Sequence, residues 1–240
     1  VIHIYLIYDQ ERNSPNRANG HWHFQLQVRE GTDLTIVLHN FENVWNRKKG
    51  VPISDNTPCY ISPDGKHWRA IPTELTAENN LKFQVHMDKE TLYVARLEPY
   101  RLSDLERFIN GIRDHPNVEI KRIGHTAEGR DLEIIRVGDP EAPYRVLLRA
   151  RAHPWESGGN WVIQGLVKSL LRGDENASRY LRKYCIYIMP MANKDGVVRG
   201  RTRFNSLGMD LNRNWDRPAN ADLAPENHAL ETWLKSMIRR

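Results

Sequence analysis

Residues 144–171 read YRVLLRARAHPWESGGNWVIQGLVKSLL, and residues 183–191 add KYCIYIMPM. YRVLLRARA is an apolar run of strand length, GNWVIQGLVKSLL has the length and spacing of a helix, and KYCIYIMPM is a second strand of near-continuous apolar character. Strands that are apolar on both faces need cover on both faces. This order therefore predicts a parallel or mixed sheet flanked by helices. Upstream, VEIKRIGHTAEGRDLEIIRVG (118–138) reads as a hairpin turning near Glu128–Gly129. Before it, EPYRLSDLERFINGI (98–112) reads as a helix, with Leu105, Phe108, Ile109 and Ile112 at helical spacing. Ser103 followed by Glu106 predicts a capping box at its start. Downstream, PENHALETWLKSMIRR (225–240) reads as a last helix.

The first 98 residues have a different grammar. HWHFQLQV (21–28), DLTIVLHN (33–40), LKFQVHM (81–87) and TLYVARLE (91–98) are short alternating or apolar strands. SPNRANG, NRKKGVP and SPDGKHW between them carry Gly or Pro where the chain must reverse. Phe24, Leu26 and Val28 alternate with Gln25 and Gln27, as on a strand with one buried face. This predicts an accessory antiparallel β-sandwich over residues 1–98, followed by an α/β domain over 99–240.

The chain has 240 residues, 40% hydrophobic and 27% charged, an ordinary composition for a folded protein. No apolar run is long enough to span a bilayer. The net charge of +5 would suit an anionic partner, but the basic residues are scattered and no nucleic-acid-binding motif stands out. Neither nucleic acid nor membrane is expected as a partner. Cys59 and Cys185 lie far apart and read as two buried free thiols. The chain opens on Val, so a removed leader stays open.

A catalytic zinc takes about three protein ligands and keeps one position for water. His-x-x-Glu would supply two, and the spacing occurs four times: His39/Glu42, His125/Glu128, His153/Glu156 and His228/Glu231. Context separates them. His153 directly follows the buried strand and precedes a small-residue helix start, the place where open α/β sheets gather ligands. The other three read as turn, strand-end or helix-surface polarity. A second stretch, NKDGVVRGRTRFNSLGMDLNRNWD (193–216), holds Arg199, Arg201, Arg203 and Arg213, with Arg217 directly after it. It reads as a basic surface loop or as an anion site, since a guanidinium matches a carboxylate with a planar fork of donors.

Together, RAHPWES (151–157) and this arginine stretch resemble the carboxypeptidase A-like zinc peptidases. The β-rich first hundred residues, running into LEPYRLSDLERFI, are similar to the cytosolic branch of that family. The resemblance implies that His153 and Glu156 bind Zn2+ and that Asn212 with Arg213 grips the substrate's terminal carboxylate. It also implies that Arg203 polarises the scissile carbonyl, with Arg201 as a rival contact to substrate. Lys194 stands where the family usually has Pro, an exchange expected to be tolerated. The family's third ligand, its general-base Glu and a Tyr near the substrate belong to a part expected beyond Arg240.

The expected function is hydrolysis of C-terminal residues from peptides or proteins, in the cytoplasm. One rival is a non-catalytic relative that binds zinc or peptide. Another gives the β domain a binding role and the remainder a scaffolding one.

Overall fold

The computed structural model describes residues 1–238. The chain forms two compact units: Val1–Pro99 with Gly200–Thr202, and the rest of the described chain from Tyr100.

The first unit is all β. Its strands are β1 (Ile2–Tyr5), β2 (Asp9–Gln10), β3 (Arg17–Ala18), β4 (His23–Gln27), β5 (Asp33–His39), β6 (Asn43–Trp45), β7 (Lys48–Gly50), β8 (Cys59–Ser62), β9 (Arg69–Ile71), β10 (Glu74–Leu75), β11 (Leu81–His86) and β12 (Thr91–Ala95). One sheet runs β1-β5-β11-β10 and a second β4-β12-β8-β9. Ile36, Leu38, Leu81 and Phe83 of the first share one core with Ile61, Ile71, Leu92 and Val94 of the second. That shared core makes the pair a sandwich. A small third sheet, β2-β3-β6-β7, is built from its connections. Phe24, Leu26 and Val28 pack against the core as their alternation predicts. The sandwich departs from a purely antiparallel one at its edge, where β1 pairs parallel with β5. A parallel neighbour needs a long crossover, which residues 6–32 provide.

The second unit contains α1 (Leu102–Ile112), β13 (Val118–His125), β14 (Asp131–Val137), β15 (Tyr144–Arg149), α2 (Gly158–Leu170), α3 (Glu175–Lys183), β16 (Tyr184–Met189), α4 (Lys194–Val198) and α5 (Pro225–Ile238). Its sheet order is β13-β14-β16-β15, antiparallel except for the parallel pair β15/β16. The apolar runs explain the layering. Ile186 and Ile188 face one way, into a core with α1 and α2, while Cys185, Tyr187 and Met189 face α5. The hairpin turns through Gly129, at φ +80. Arg239 and Arg240, the end of the stretch read as the last helix, lie outside the described residues. The helices α3 and α4 have too few apolar residues to show in the sequence pattern. Cys59 and Cys185 are free and buried, and burial pushes the Cys59 thiol up to about 12.

The expected cap of α1 is corrected. The carboxylate that closes the first turn belongs to Asp104, whose Oδ2 accepts the Arg101 amide at 2.8 Å, and Ser103 and Glu106 are exposed. Helix entry at Arg101 puts Asp104 at the third helical position, where its side chain also meets the guanidinium groups of Arg101 and Arg107. Burial works against the Asp104 charge, but these hydrogen bonds outweigh it and lower its pKa. Asp104→Asn is therefore expected to destabilise the protein by about 1 kcal/mol. A depressed folded pKa contributes stability above the unfolded value of about 3.9, and that contribution is lost as pH falls through the folded pKa. Chemical denaturation at neutral pH should show the difference and at pH 2–3 should show it shrunken. Equal stability of the two proteins at pH 7 would contradict the assignment.

Candidate active site

Parallel pairing of β15 with β16 continues past both strands. Ala150 N donates to Met189 O, Ala192 N to Ala150 O and Asn193 N to Arg151 O. Asn193 Nδ2 adds a bond to Ala152 O, and its Oδ1 accepts the Gly196 amide. The two loops at the carboxyl ends of the strands are thus fastened together. A Cβ at Gly196 would overlap Pro154, so only glycine lets the two loops approach so closely.

Arg151 carries the cost of this arrangement in its backbone. It sits at φ +59, a left-handed conformation worth about 1–3 kcal/mol of strain in a residue with a side chain. Its buried guanidinium compensates by donating to Pro154 O and to Asn160 Oδ1, clamping the turn that follows. That turn presents His153 and Glu156 together. His153 Nδ1 lies 2.9 Å from Glu156 Oε1, and Nε2 lies 3.1 Å from Asp210 Oδ1. His153 is buried, and Asp210 is almost completely so. Oδ1 of Asp210 also accepts the Asn212 amide, and Oδ2 accepts Arg203 Nε at 2.7 Å.

The electrostatics follow from these contacts. Burial disfavours the His153 cation, but the Asp210 and Glu156 carboxylates outweigh it and raise the pKa. The hydrogen bond from His153 lowers that of Glu156 against a smaller effect of burial. Burial raises the Asp210 pKa, yet His153, the Asn212 amide and Arg203 bring it down to about 2.

The pair fits a metal. Adjacent ligands of a tetrahedral zinc lie about 3.3 Å apart, given bonds of about 2.0–2.2 Å. The 2.9 Å between His153 Nδ1 and Glu156 Oε1 needs only a small opening to reach this. Asp210 occupies the other ring nitrogen, which is how an outer carboxylate fixes a metal-binding imidazole. A metal held here would take two of its three or so protein ligands from this pair. Among the described residues no group of three or more His, Cys, Asp or Glu side chains forms a metal-holding cluster.

The three other His-x-x-Glu spacings separate in space or serve the fold. Glu42 pairs with Arg17, and His39 meets His3. His125 pairs with Asp131, while Glu128 meets Arg130 and Arg199. Glu231 caps the Ala219 amide. Asn212 lines a cavity of about 570 Å³ together with Glu156, Arg149 and Trp215. Arg213 is exposed and donates to Asn212 O. Arg201 belongs to the first unit, where Nη1 donates to buried Asp9 at 3.0 Å. Lys194 opens α4, a position whose amide needs no helical partner, so it tolerates Pro or Lys alike. Its Nζ lies 2.6 and 2.7 Å from the Glu133 oxygens.

Motif reading missed Asp210 and Arg151, which hold His153 and its turn in place. Both carried a signal. Arg151 is a charge at the end of an apolar strand, and Asp210 is the acid leading an arginine-rich loop.

Comparison with known proteins decides the family. A model described as zinc carboxypeptidase matches residues 105–236, and one described as cytosolic carboxypeptidase N-terminal domain matches residues 2–97. The chain belongs to the zinc carboxypeptidase family. It is 28% identical over 190 residues to cytosolic carboxypeptidase 3 of Mus musculus, covering 75% of this chain and 18% of that protein. It is 30% identical over 213 residues to cytosolic carboxypeptidase 6 of Caenorhabditis elegans, covering 82% and 46% respectively. A metallo-carboxypeptidase structure from Burkholderia cenocepacia superposes with a TM-score of 0.84 at 25% identity, covering 98% of this chain and 62% of that one. The chain thus spans less than two thirds of these relatives. The family resemblance read from the motifs and the β-rich N-terminal half is correct on both counts. No helix among the described residues is long and apolar enough to cross a membrane.

If Asp210 orients the metal-facing imidazole, Asp210→Asn in the full-length protein should weaken zinc binding by about 10–100-fold. His153→Ala and Glu156→Ala should each abolish it. Competition with a chelator of known affinity measures all three, and undiminished zinc occupancy in the His153 and Glu156 variants would refute the site.

Proposed function

We propose that the protein is a zinc-dependent metallocarboxypeptidase that removes C-terminal residues from peptides or proteins in the cytoplasm. The observation that carries this reading is the His153–Glu156 pair, oriented by Asp210, with Arg203 held on the same carboxylate. Zinc bound there would bring the pKa of a coordinated water to about 7 and polarise a substrate oxygen.

The chain's own residues supply the rest. Asp210 holds the imidazole with Nδ1 toward Glu156, and it fixes the Arg203 guanidinium close enough to act on the charges of both ligands. Arg203 is the donor suited to stabilise an oxyanion, because a preorganised cation acts most strongly on charge that develops in the transition state. The guanidinium of Arg201 is engaged by Asp9, which supports giving this part to Arg203. Asn212 and the exposed Arg213 follow Asp210 after Leu211, and their exposure leaves room for a bidentate contact with a terminal carboxylate.

Arg213→Lys should raise KM more than tenfold, a loss of about 1.4 kcal/mol or more, since Lys cannot reproduce a bidentate contact. Arg203→Ala should instead depress kcat. The wild type should cleave free-acid peptides in preference to C-terminally amidated ones, and Arg213→Lys should narrow that preference. Steady-state kinetics on matched peptides measures each effect. Equal cleavage of amidated and free-acid peptides by the wild type would overturn the carboxylate clamp.

A further inference from the structure

Outside this site, His3 and His39 bring two imidazole ring nitrogens face to face. His3 lies on β1 and His39 on β5, in strands paired in parallel with Ile2 opposite Ile36 and Tyr5 opposite His39. Alternation sends Ile4, Ile36 and Leu38 into the sandwich core and leaves His3, Tyr5 and His39 on the outer face. There, His3 Nδ1 and His39 Nε2 lie 2.8 Å apart, with ring centroids 5.1 Å apart. The Tyr5 ring stacks on His39 at 4.5 Å and 14°, limiting rotation of that imidazole.

We propose that His3 and His39 form a second metal site, on the first unit, for a borderline divalent transition ion such as Zn2+ or Cu2+, with water completing the coordination. Two neutral imidazoles whose ring nitrogens face each other hold one proton between two lone pairs, and a divalent ion satisfies both lone pairs at once. Adjacent nitrogen ligands of a tetrahedral ion lie about 3.3 Å apart, so the pair needs to open by about half an ångström. Both rings sit on one rigid sheet, so the preorganisation comes with the fold. Imidazole nitrogen selects zinc, copper or nickel over calcium or magnesium, and copper should bind most tightly. His3 is exposed and His39 borders a cavity of about 490 Å³, so solvent reaches both rings. No part of this rests on the reading of His153 and Glu156.

The test is a zinc titration of full-length protein by calorimetry, with histidine side-chain 15N resonances recorded in parallel. A zinc equivalent weaker than the His153 site should perturb Nδ1 of His3 and Nε2 of His39. His3→Ala and His39→Phe should each weaken this equivalent at least tenfold and leave the resonances of His153 unchanged. His39→Phe keeps an aromatic ring against Tyr5, so its metal-free melting temperature should match that of the wild type. Absence of the weaker equivalent, or its persistence in both variants, would overturn the proposal. Failure of zinc to bind at His153 would count against the proposed function alone, because the two sites report through separate resonances.

Discussion

The buried carboxylate of Asp210 is the contact on which the candidate site depends. Its two oxygens receive His153, the Asn212 amide and Arg203, so one anion fixes three groups with different tasks. An acid so nearly excluded from water survives as an anion only when its hydrogen bonds are made. Here they are, and the pKa of about 2 expresses the same fact. The strain at Arg151 belongs to this arrangement as well. A left-handed arginine next to the turn that carries His153 and Glu156 is retained because its guanidinium holds the turn from inside.

Behind the site stands a second buried acid, Asp195, which has no exposed surface. It accepts Thr126 Oγ1, the Glu128 amide and Arg130, and so fastens the β13–β14 hairpin to the loop after β16. The Asn-Lys-Asp-Gly segment therefore works as a structural knot. Asn193 holds the strand leading to His153, Lys194 reaches Glu133, Asp195 holds the hairpin, and Gly196 makes room for Pro154. These four consecutive residues hold their segment against the turn that carries His153 and Glu156.

Much of this was legible in the sequence. The near-continuous apolar run of β16 announced a buried strand, and the alternation in β4 announced a sandwich. Strand β15, read as buried too, carries Arg145 and Arg149 and forms an edge of the sheet with no buried residue. Resemblance then singled out His153 and Glu156 among four equivalent spacings as the proposed metal pair. What the sequence hid was three-dimensional. The parallel edge at β1 depends on a crossover that has no local signature. The cap of α1 shifted by two residues because Asp104 could meet the Arg101 amide and two guanidinium groups at once, an advantage that neither Ser103 nor Glu106 offers alone. The roles of Asp210 and Arg151 depend on partners distant along the chain or on a backbone angle, and no spacing rule records either.

The central claim is that zinc sits between His153 Nδ1 and Glu156, with Asp210 behind the imidazole. Anomalous diffraction at the zinc absorption edge, from crystals of the full-length protein, tests it most directly. The account predicts an anomalous peak about 2.0–2.2 Å from His153 Nδ1 and from a Glu156 carboxylate oxygen, with Asp210 still bonded to Nε2. A peak on Nε2 with Asp210 displaced, or zinc elsewhere in the second unit with this pair unligated, would contradict it.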